Sequence, residues 1–583
     1  MDRPRTVAHL IAEFLVRRGV KRYFGLTGGH TKPIWDESYR AGIEIISVRH
    51  EAAAVHMAQA HADLGADLGA DLGAELGDHI GIATVTTGPG LTNAITGIAA
   101  AHRARSPVLV FCGLPPRPQL GMKSLEEFPH VEVVKPFTVY ADTVFEPRHI
   151  LWKLDAAFSA AMGNDGVMGP AFLDIPVDVL RSVVPESSID SRWFAPRPKP
   201  ANLPGPEAVE AALALLKKAR RPLVITGKSA MPAKAALNDF LEASGALYID
   251  TRESRGLVKE NHPAFVPALR SQVMNQCDLV ITLGRQLDFE LGYGSEALFA
   301  NQPKFIRIGT TPNETSENRR ADVELRADVE KALRVMLDTG VATPSLDREW
   351  CSGLQQSNRE RQLKLREICN TQAPDESGAM HPYRLLGAVN EIIEADSIVV
   401  VDGGDIASFA RVALKTPAYL DSGTFGCLGV GMPFAVAAAL DHPRRRVILV
   451  TGDGAFGFNA LELETAVRTG AKIVVVVANN GAWNIERVDQ VVNFEGNIIG
   501  TDIAGCRYDL VAQGLGAYGE HVEDVADLPA ALDRAVAHAP ALLDVRVTRD
   551  AISPDFKSGL AEIPDFQPLR SWNDAEEAIA GDR

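Results

Sequence analysis

A chain of 583 residues exceeds what one hydrophobic core supports, and at about 150 residues per domain it implies three or four domains. Hydrophobic residues make up 46% and charged residues 23%, which excludes a disordered or fibrous chain and describes ordinary α/β material. With 59 Lys+Arg against 75 Asp+Glu the net charge is −16, which weighs against nucleic-acid or anionic-membrane partners.

The start, Met1–Leu10, is charged and contains Pro4, so it does not read as a secretion signal. A first α/β block, residues 1–185, has predicted strands at Arg22–Leu26, Glu44–Val48, Ile80–Thr86, Val108–Phe111 and Ala171–Ile175. Helical stretches such as Glu51–Ala62 and Leu91–Ala101 lie between them, the alternation of a parallel sheet covered by helices. Within this block residues 62–77 read ADLG, ADLG, ADLG, AELG, and the plain explanation is a repeat that lengthened a surface helix or loop. Ser182–Pro206 is a Pro- and Ser-rich linker.

The second block, residues 200–340, has strands at Pro222–Thr226, Ala246–Asp250, Leu279–Leu283 and Lys304–Ile308. The polar connector Thr339–Ala379 follows, with one helix around Arg359–Cys369. The third block, residues 375–550, has strands at Ser397–Val401, Arg446–Val450, Ile473–Ala478 and Leu542–Val545. Its apolar run at Ile473–Ala478 is far short of the roughly 20 residues that cross a bilayer. Residues 551–583 carry spaced aromatics, Phe556, Phe566 and Trp572, and read as an ordered flap. The six cysteines have no metal-ligand spacing, which suits a reduced cytoplasm.

The strongest chemical pattern is in the third block. Strand Arg446–Val450 runs into Thr451-Gly452-Asp453-Gly454-Ala455, and 24 residues separate Gly454 from Asn479-Asn480-Gly481 at the end of the next strand. Glycines at such a turn leave backbone N–H groups free for a phosphate. Asp453 and Asn480 offer hard oxygens which, with a backbone carbonyl and phosphate oxygens, suit Mg²⁺.

This GDG…NN spacing resembles the thiamine-diphosphate-dependent enzymes over essentially the whole chain. The resemblance implies three parallel-sheet domains (pyrimidine-binding, middle and diphosphate-binding) plus a C-terminal lid. Gly452, Asp453, Gly454 and Ala455 would then surround the diphosphate, and Asp453, Asn480 and the carbonyl of Ala482 would hold Mg²⁺. The active sites would lie between subunits of a homodimer or homotetramer. In Val48-Arg49-His50-Glu51, Glu51 matches the family glutamate that hydrogen-bonds N1′ of the aminopyrimidine, a role suited to a partly buried carboxylate. Ser422–Gly431 looks like the segment beneath the bent cofactor, with Leu428 forcing the bend and the Gly426 carbonyl holding the 4′-amino group. Thr87-Gly88-Pro89-Gly90 with Asn93 resembles the loop beside the pyrimidine, and the resemblance leaves room for ADP or another nucleotide in the middle domain.

Thiamine diphosphate specifies chemistry at a carbon next to a carbonyl, not the substrate. Leu26–Asp36 and Gly121–Pro136 look like acetolactate synthases, but Glu126 stands where that group has an amide, and it could line the cofactor pocket. Gly284–Phe289, Gly454–Phe458 and the ending from Ser553 resemble 2-hydroxyacyl-CoA lyases and oxalyl-CoA decarboxylases. The expected reaction is cleavage of a 2-hydroxyacyl-CoA, such as 2-hydroxyisobutyryl-CoA, to formyl-CoA and a ketone or aldehyde through a thiamine-bound carbanion. Glu495 and His30 are the candidate bases for the hydroxyl proton. Arg252, Arg255, Arg285 and Arg411 are available for the phosphates of coenzyme A. Acetolactate synthase, a decarboxylase of 2-keto acids or oxalyl-CoA, and a non-catalytic scaffold are the rivals.

Overall fold

The computed structural model describes residues 4–68, 79–164, 166–197, 200–341, 345–503 and 505–558. Three all-parallel sheets follow one another along the chain. The first contains β1 (Arg22–Gly25), β2 (Glu44–Ser47), β3 (Gly81–Val85), β4 (Val108–Leu114), β5 (Tyr140–Thr143) and β6 (Ala171–Pro176), in the order β2-β1-β3-β4-β6-β5. The middle sheet contains β7 (Pro222–Thr226), β8 (Leu247–Ile249), β9 (Leu279–Leu283), β10 (Lys304–Gly309) and β11 (Val323–Arg326), ordered β11-β10-β9-β7-β8. The third contains β12 (Ile398–Asp402), β13 (Tyr419–Leu420), β14 (Val447–Gly452), β15 (Ile473–Asn479), β16 (Tyr518–Val522) and β17 (Ala541–Arg546), ordered β13-β12-β14-β15-β17-β16. The first and third sheets therefore share one topology.

The central strands are buried along their length because helices cover both faces, and such strands read as unbroken apolar runs. The four strands that the sequence pattern does not predict are β5, β11, β13 and β16, and every one lies at a sheet edge. One neighbour and partial exposure leave an edge strand no continuous apolar signature, as in the half-buried Tyr140–Thr143. The connector helix is also longer than expected, Arg348–Thr371. Asp347 caps it by accepting from Trp350 N–H, and Leu354, Asn358 and Cys369 are buried along it.

The helix Glu51–Leu68 packs against the helix Gly431–Asp441, which joins the first and third domains through one apolar core. Leu64 of the repeat region is buried, whereas residues 69–77 of that repeat lie outside the described residues. Of the expected C-terminal lid, Ala551–Ser558 is described and residues 559–583 are not. The described part turns back onto the helix Asp405–Ala413, where Asp555 pairs with Arg411 and its N–H donates to Ser408. Among the described residues no helix is long and apolar enough to cross a membrane.

Candidate functional site

The diphosphate side is built at the carboxyl ends of β14 and β15, adjacent parallel strands in register from Val447↔Ile473 to Gly452↔Ala478. That pairing brings Gly452-Asp453-Gly454 beside Asn480-Gly481-Ala482. Asp453 is buried, and burial pushes its carboxyl up to about 6, against backbone N–H groups of Gly454, Gly481 and Ala482 that favour the anion. Among the described residues it has no cationic side-chain partner. Asn480 Oδ1 accepts from the Ala482 N–H at 3.1 Å, so the loop orients its own amide. A buried carboxylate without a counter-cation, beside an amide oxygen and the Ala482 carbonyl, is an all-oxygen donor set that fits a divalent ion.

The same loops are held from behind. Tyr508 donates its hydroxyl to the Asp453 carbonyl at 3.2 Å. Asp544, fully buried on β17, accepts from Asn479 Nδ2 at 2.8 Å and from Tyr508 N–H at 3.3 Å. The Trp483 ring lies against Gly454, where an added Cβ would come within 2.4 Å of Cζ3.

The segment expected beneath the cofactor forms a cradle. Gly426 and Gly429 adopt φ of 67° and 87°, which a side chain would resist. Buried Asp402 accepts the Gly431 N–H at 2.8 Å and Asn459 donates to the Gly429 carbonyl at 2.7 Å, so the turn is tied at its C-terminal end. Just before that end, between Gly426 and Gly429, Leu428 is half-buried.

On the first domain Glu51 opens its helix, is 5% exposed, and accepts from Asn93 Nδ2 at 3.0 Å. A third-domain residue, Glu462, accepts the Arg49 N–H at 2.9 Å and so holds the turn that carries Glu51. Beside it, Gly88 has φ 58°, and a Cβ there would meet the Glu126 carbonyl at 2.6 Å. Thr87 donates its hydroxyl to that same carbonyl at 3.0 Å. Glu126 also has positive φ, 61°, and its carboxylate lies 3.6 Å from His30 Nδ1, an atom that is buried without a hydrogen-bond partner. Burial lowers the His30 pKa while the Glu126 charge opposes this, and the net shift favours the neutral imidazole.

Within the chain, then, Glu51, Gly88, Glu126 and His30 share one wall, and Asp453, Asn480 and Ala482 share another. No hydrogen bond among the described residues links Glu51 with Asp453 or Asn480. Glu495 belongs to neither wall: it sits at φ 56° in an exposed run after the helix Asn484–Asn493. The four arginines considered for coenzyme A are already committed. Arg285 pairs with Asp288 and Glu290, Arg252 with Glu290, Arg255 with the Arg411 carbonyl, and Arg411 with Asp555. Sequence reasoning misses Tyr508, Asp544 and His130, because a lone polar residue far along the chain has no local pattern; Glu462 it notes only for its resemblance to the lyases, not for its hold on the Glu51 turn.

Comparison with known proteins agrees with this geometry. Residues 5–133 match the N-terminal TPP binding domain of thiamine pyrophosphate enzymes, 209–336 the central domain, and 402–545 the C-terminal TPP binding domain. The chain is 32% identical over 561 residues to an acetolactate synthase large subunit of Mycobacterium tuberculosis, covering 95% of this chain and 97% of that protein. It is 31% identical over 560 residues to 2-hydroxyacyl-CoA lyase 2 of Caenorhabditis elegans, covering 88% and 84%, and 29% identical over 550 residues to the Homo sapiens protein of that name, covering 87% and 84%. Three successive domain matches and two walls of the expected chemistry assign this chain to the thiamine pyrophosphate enzyme family.

Proposed function

We propose that this thiamine-diphosphate enzyme is a 2-hydroxyacyl-CoA lyase, cleaving a substrate such as 2-hydroxyisobutyryl-CoA to acetone and formyl-CoA, with Mg²⁺ as the ion at Asp453, Asn480 and the Ala482 carbonyl. The observation that carries the reading is the His30–Glu126 pair. Cleavage needs a base for the substrate hydroxyl, and a neutral imidazole with an unpartnered ring nitrogen beside a carboxylate suits that task. Thiamine diphosphate, when bound, supplies the sink for the electron pair that the broken C–C bond releases.

The protein residues divide the remaining work. Glu51, kept from water and oriented by Asn93, shares a proton with N1′ of the aminopyrimidine. The Gly426–Gly431 turn presents its carbonyl and Leu428 to the cofactor. His30 takes the hydroxyl proton as the carbonyl of the ketone forms, and Glu126 stabilises the resulting imidazolium. The proton that completes formyl-CoA returns to the former C1 carbon. Glu495, exposed in the single chain, is the second candidate base.

We also propose that the working unit is a homodimer or homotetramer, with each site closed by the partner. Among the described residues of one chain no hydrogen bond joins Glu51 to Asp453 or Asn480, and Phe425, Phe458 and Leu461 beside the diphosphate wall are 46%, 62% and 54% exposed.

Product analysis by mass spectrometry tests the reaction. Holoenzyme is given 2-hydroxyisobutyryl-CoA in one tube and pyruvate in another, with Glu51→Gln as control. The expected result is acetone and formyl-CoA from the first tube, absent in the control. His30→Ala should slow turnover roughly 100-fold or more, while Glu495→Gln leaves it nearer wild type. Acetolactate from pyruvate with intact acyl-CoA would instead make the chain a synthase.

A further inference from the structure

Buried His130 is used by no step above, yet it touches the loop on which the first-domain wall depends. It is 1% exposed and stands at the start of the short helix His130–Val134, below the Gly88 turn. Its Nε2 lies 2.9 Å from the Gly88 N–H and 3.3 Å from the Thr87 hydroxyl, and its Nδ1 lies 3.0 Å from Asp174 Oδ2. Asp174 is buried on β6, and burial raises its carboxyl to about 6 despite the His130 bond.

The backbone resolves the tautomer. A peptide N–H only donates and its direction is set by the chain, so the ring nitrogen facing Gly88 presents a lone pair. A neutral imidazole has one N–H, which therefore sits on Nδ1 and donates to Asp174. This also disposes of another reading of the cluster. Cys112, His130 and Asp174 lie close enough to hold a metal ion, but a metal on Nδ1 would put the proton on Nε2, against the Gly88 N–H. The Cys112 thiol has its own acceptor, the Thr86 carbonyl at 3.3 Å.

We infer that His130 is a positioning residue for the cofactor wall, a neutral imidazole locked by Asp174 whose Nε2 holds the Gly88 amide in place. Gly88 is buried with φ 58°, and its N–H donates to Nε2. Fixing that amide fixes Pro89 and the helix Pro89–Arg103, whose fifth residue, Asn93, donates to Glu51. It also fixes Thr87, whose hydroxyl holds the Glu126 carbonyl and thereby the turn that places the Glu126 carboxylate against His30. One buried pair thus sets the residue facing the pyrimidine and the pair proposed to face the substrate. The inference concerns the cofactor site and stands whichever acyl substrate is turned over.

The test uses the full chain and begins without cofactor. Hydrogen exchange by mass spectrometry follows the peptide spanning Gly88, and calorimetry then gives the affinity for thiamine diphosphate with Mg²⁺. His130→Leu removes the acceptor, so exchange at Gly88 should rise about tenfold or more and cofactor affinity should fall roughly 10- to 100-fold. His130→Gln is the rescue: its Oε1 stands as many bonds from Cα as Nε2 does and can accept the same N–H, so both readouts stay near wild type. Asp174→Asn favours the opposite tautomer while keeping the ring, and should behave like the leucine variant. ¹⁵N spectra of histidine-labelled wild-type protein should report the Nδ1–H form. Wild-type exchange and affinity in His130→Leu, or a glutamine variant as impaired as the leucine one, would overturn the inference. Should His130→Leu not fold, Asp174→Asn and the ¹⁵N spectrum decide it, and an Nε2–H ring in the wild type overturns it alone.

Discussion

Single residues here are tuned by burial before any ligand arrives. His56, fully buried on the helix that Glu51 opens, has its pKa lowered to about 4, first by desolvation and then by nearby His50. Its ring packs edge-on against Phe434 of the third domain at 6.1 Å. An unfolded histidine binds a proton near 6.5 and the native one does not until about 4, so the unfolded state gains protons first as pH falls. Stability from this group is present above the unfolded pKa and is lost between those two values. It should amount to about 2 kcal/mol between pH 7 and pH 5. Urea denaturation at the two pH values should show His56→Leu losing that much less than wild type over the interval. Equal acid sensitivity in both proteins would assign the effect elsewhere. The residues legible in the sequence are those whose role depends on a short local pattern, Glu51 after its strand and Asp453 between two glycines. His130 and Asp544 act over long separations, so nothing beside them in the chain marks them.

Secondary elements carry these residues to places the chain order does not reveal. Adjacent parallel strands β14 and β15 end at the same level, which is why Asp453 and Asn480 meet. Close backbone approach then matters, since the Trp483 ring occupies the space where a Gly454 side chain would go. Gly454→Ala should force that ring aside and weaken thiamine diphosphate binding about tenfold, the cost of modest overpacking. Trp483→Leu in the same chain should recover part of the loss, a coupling that a double-mutant cycle by calorimetry measures. Additive effects would mean that the alanine acts without the ring. At this scale the apolar runs predict every central strand, while edge strands β5, β11 and β16 escape because partly exposed residues carry no unbroken pattern, and buried β13 escapes because it is only two residues long.

Across the whole molecule, buried polar ties as well as apolar packing hold the domains together. Lys228 of the middle domain donates to Asp63 at 2.7 Å, to the Ala104 carbonyl at 2.7 Å and to Ser106 at 2.9 Å, all in the first domain. Arg105 reaches the other way to Glu314 and, at 3.4 Å, to Glu253. Lys228→Met keeps the stem but removes the charge that Asp63 faces, and should cost about 2–3 kcal/mol. Calorimetry should show the middle domain unfolding at a lower temperature than the rest; a single unshifted transition would assign the docking to other contacts.

The shared strand order of the first and third domains has a consequence at the same scale. Asp174 and Asp544 are each the fourth residue of corresponding strands, β6 and β17, and each bonds a histidine Nδ1 at 3.0 Å, His130 and His521. Equivalent positions in two copies of one topology thus brace the loops of the two walls.

The sequence by itself determined the three-domain α/β plan, the membership of the family and the candidate residues for the cofactor site. These follow from apolar periodicity and from motifs whose parts lie within one strand and its turn. Only the tertiary structure decided which candidates share a wall, that burial favours a neutral His30 beside Glu126, that Glu495 is exposed in the single chain, and that His130 braces the Gly88 turn. Burial and pairing between residues far apart in the chain exist only once the sheets are assembled, and desolvation and fixed backbone donors then select the protonation state and tautomer of each group.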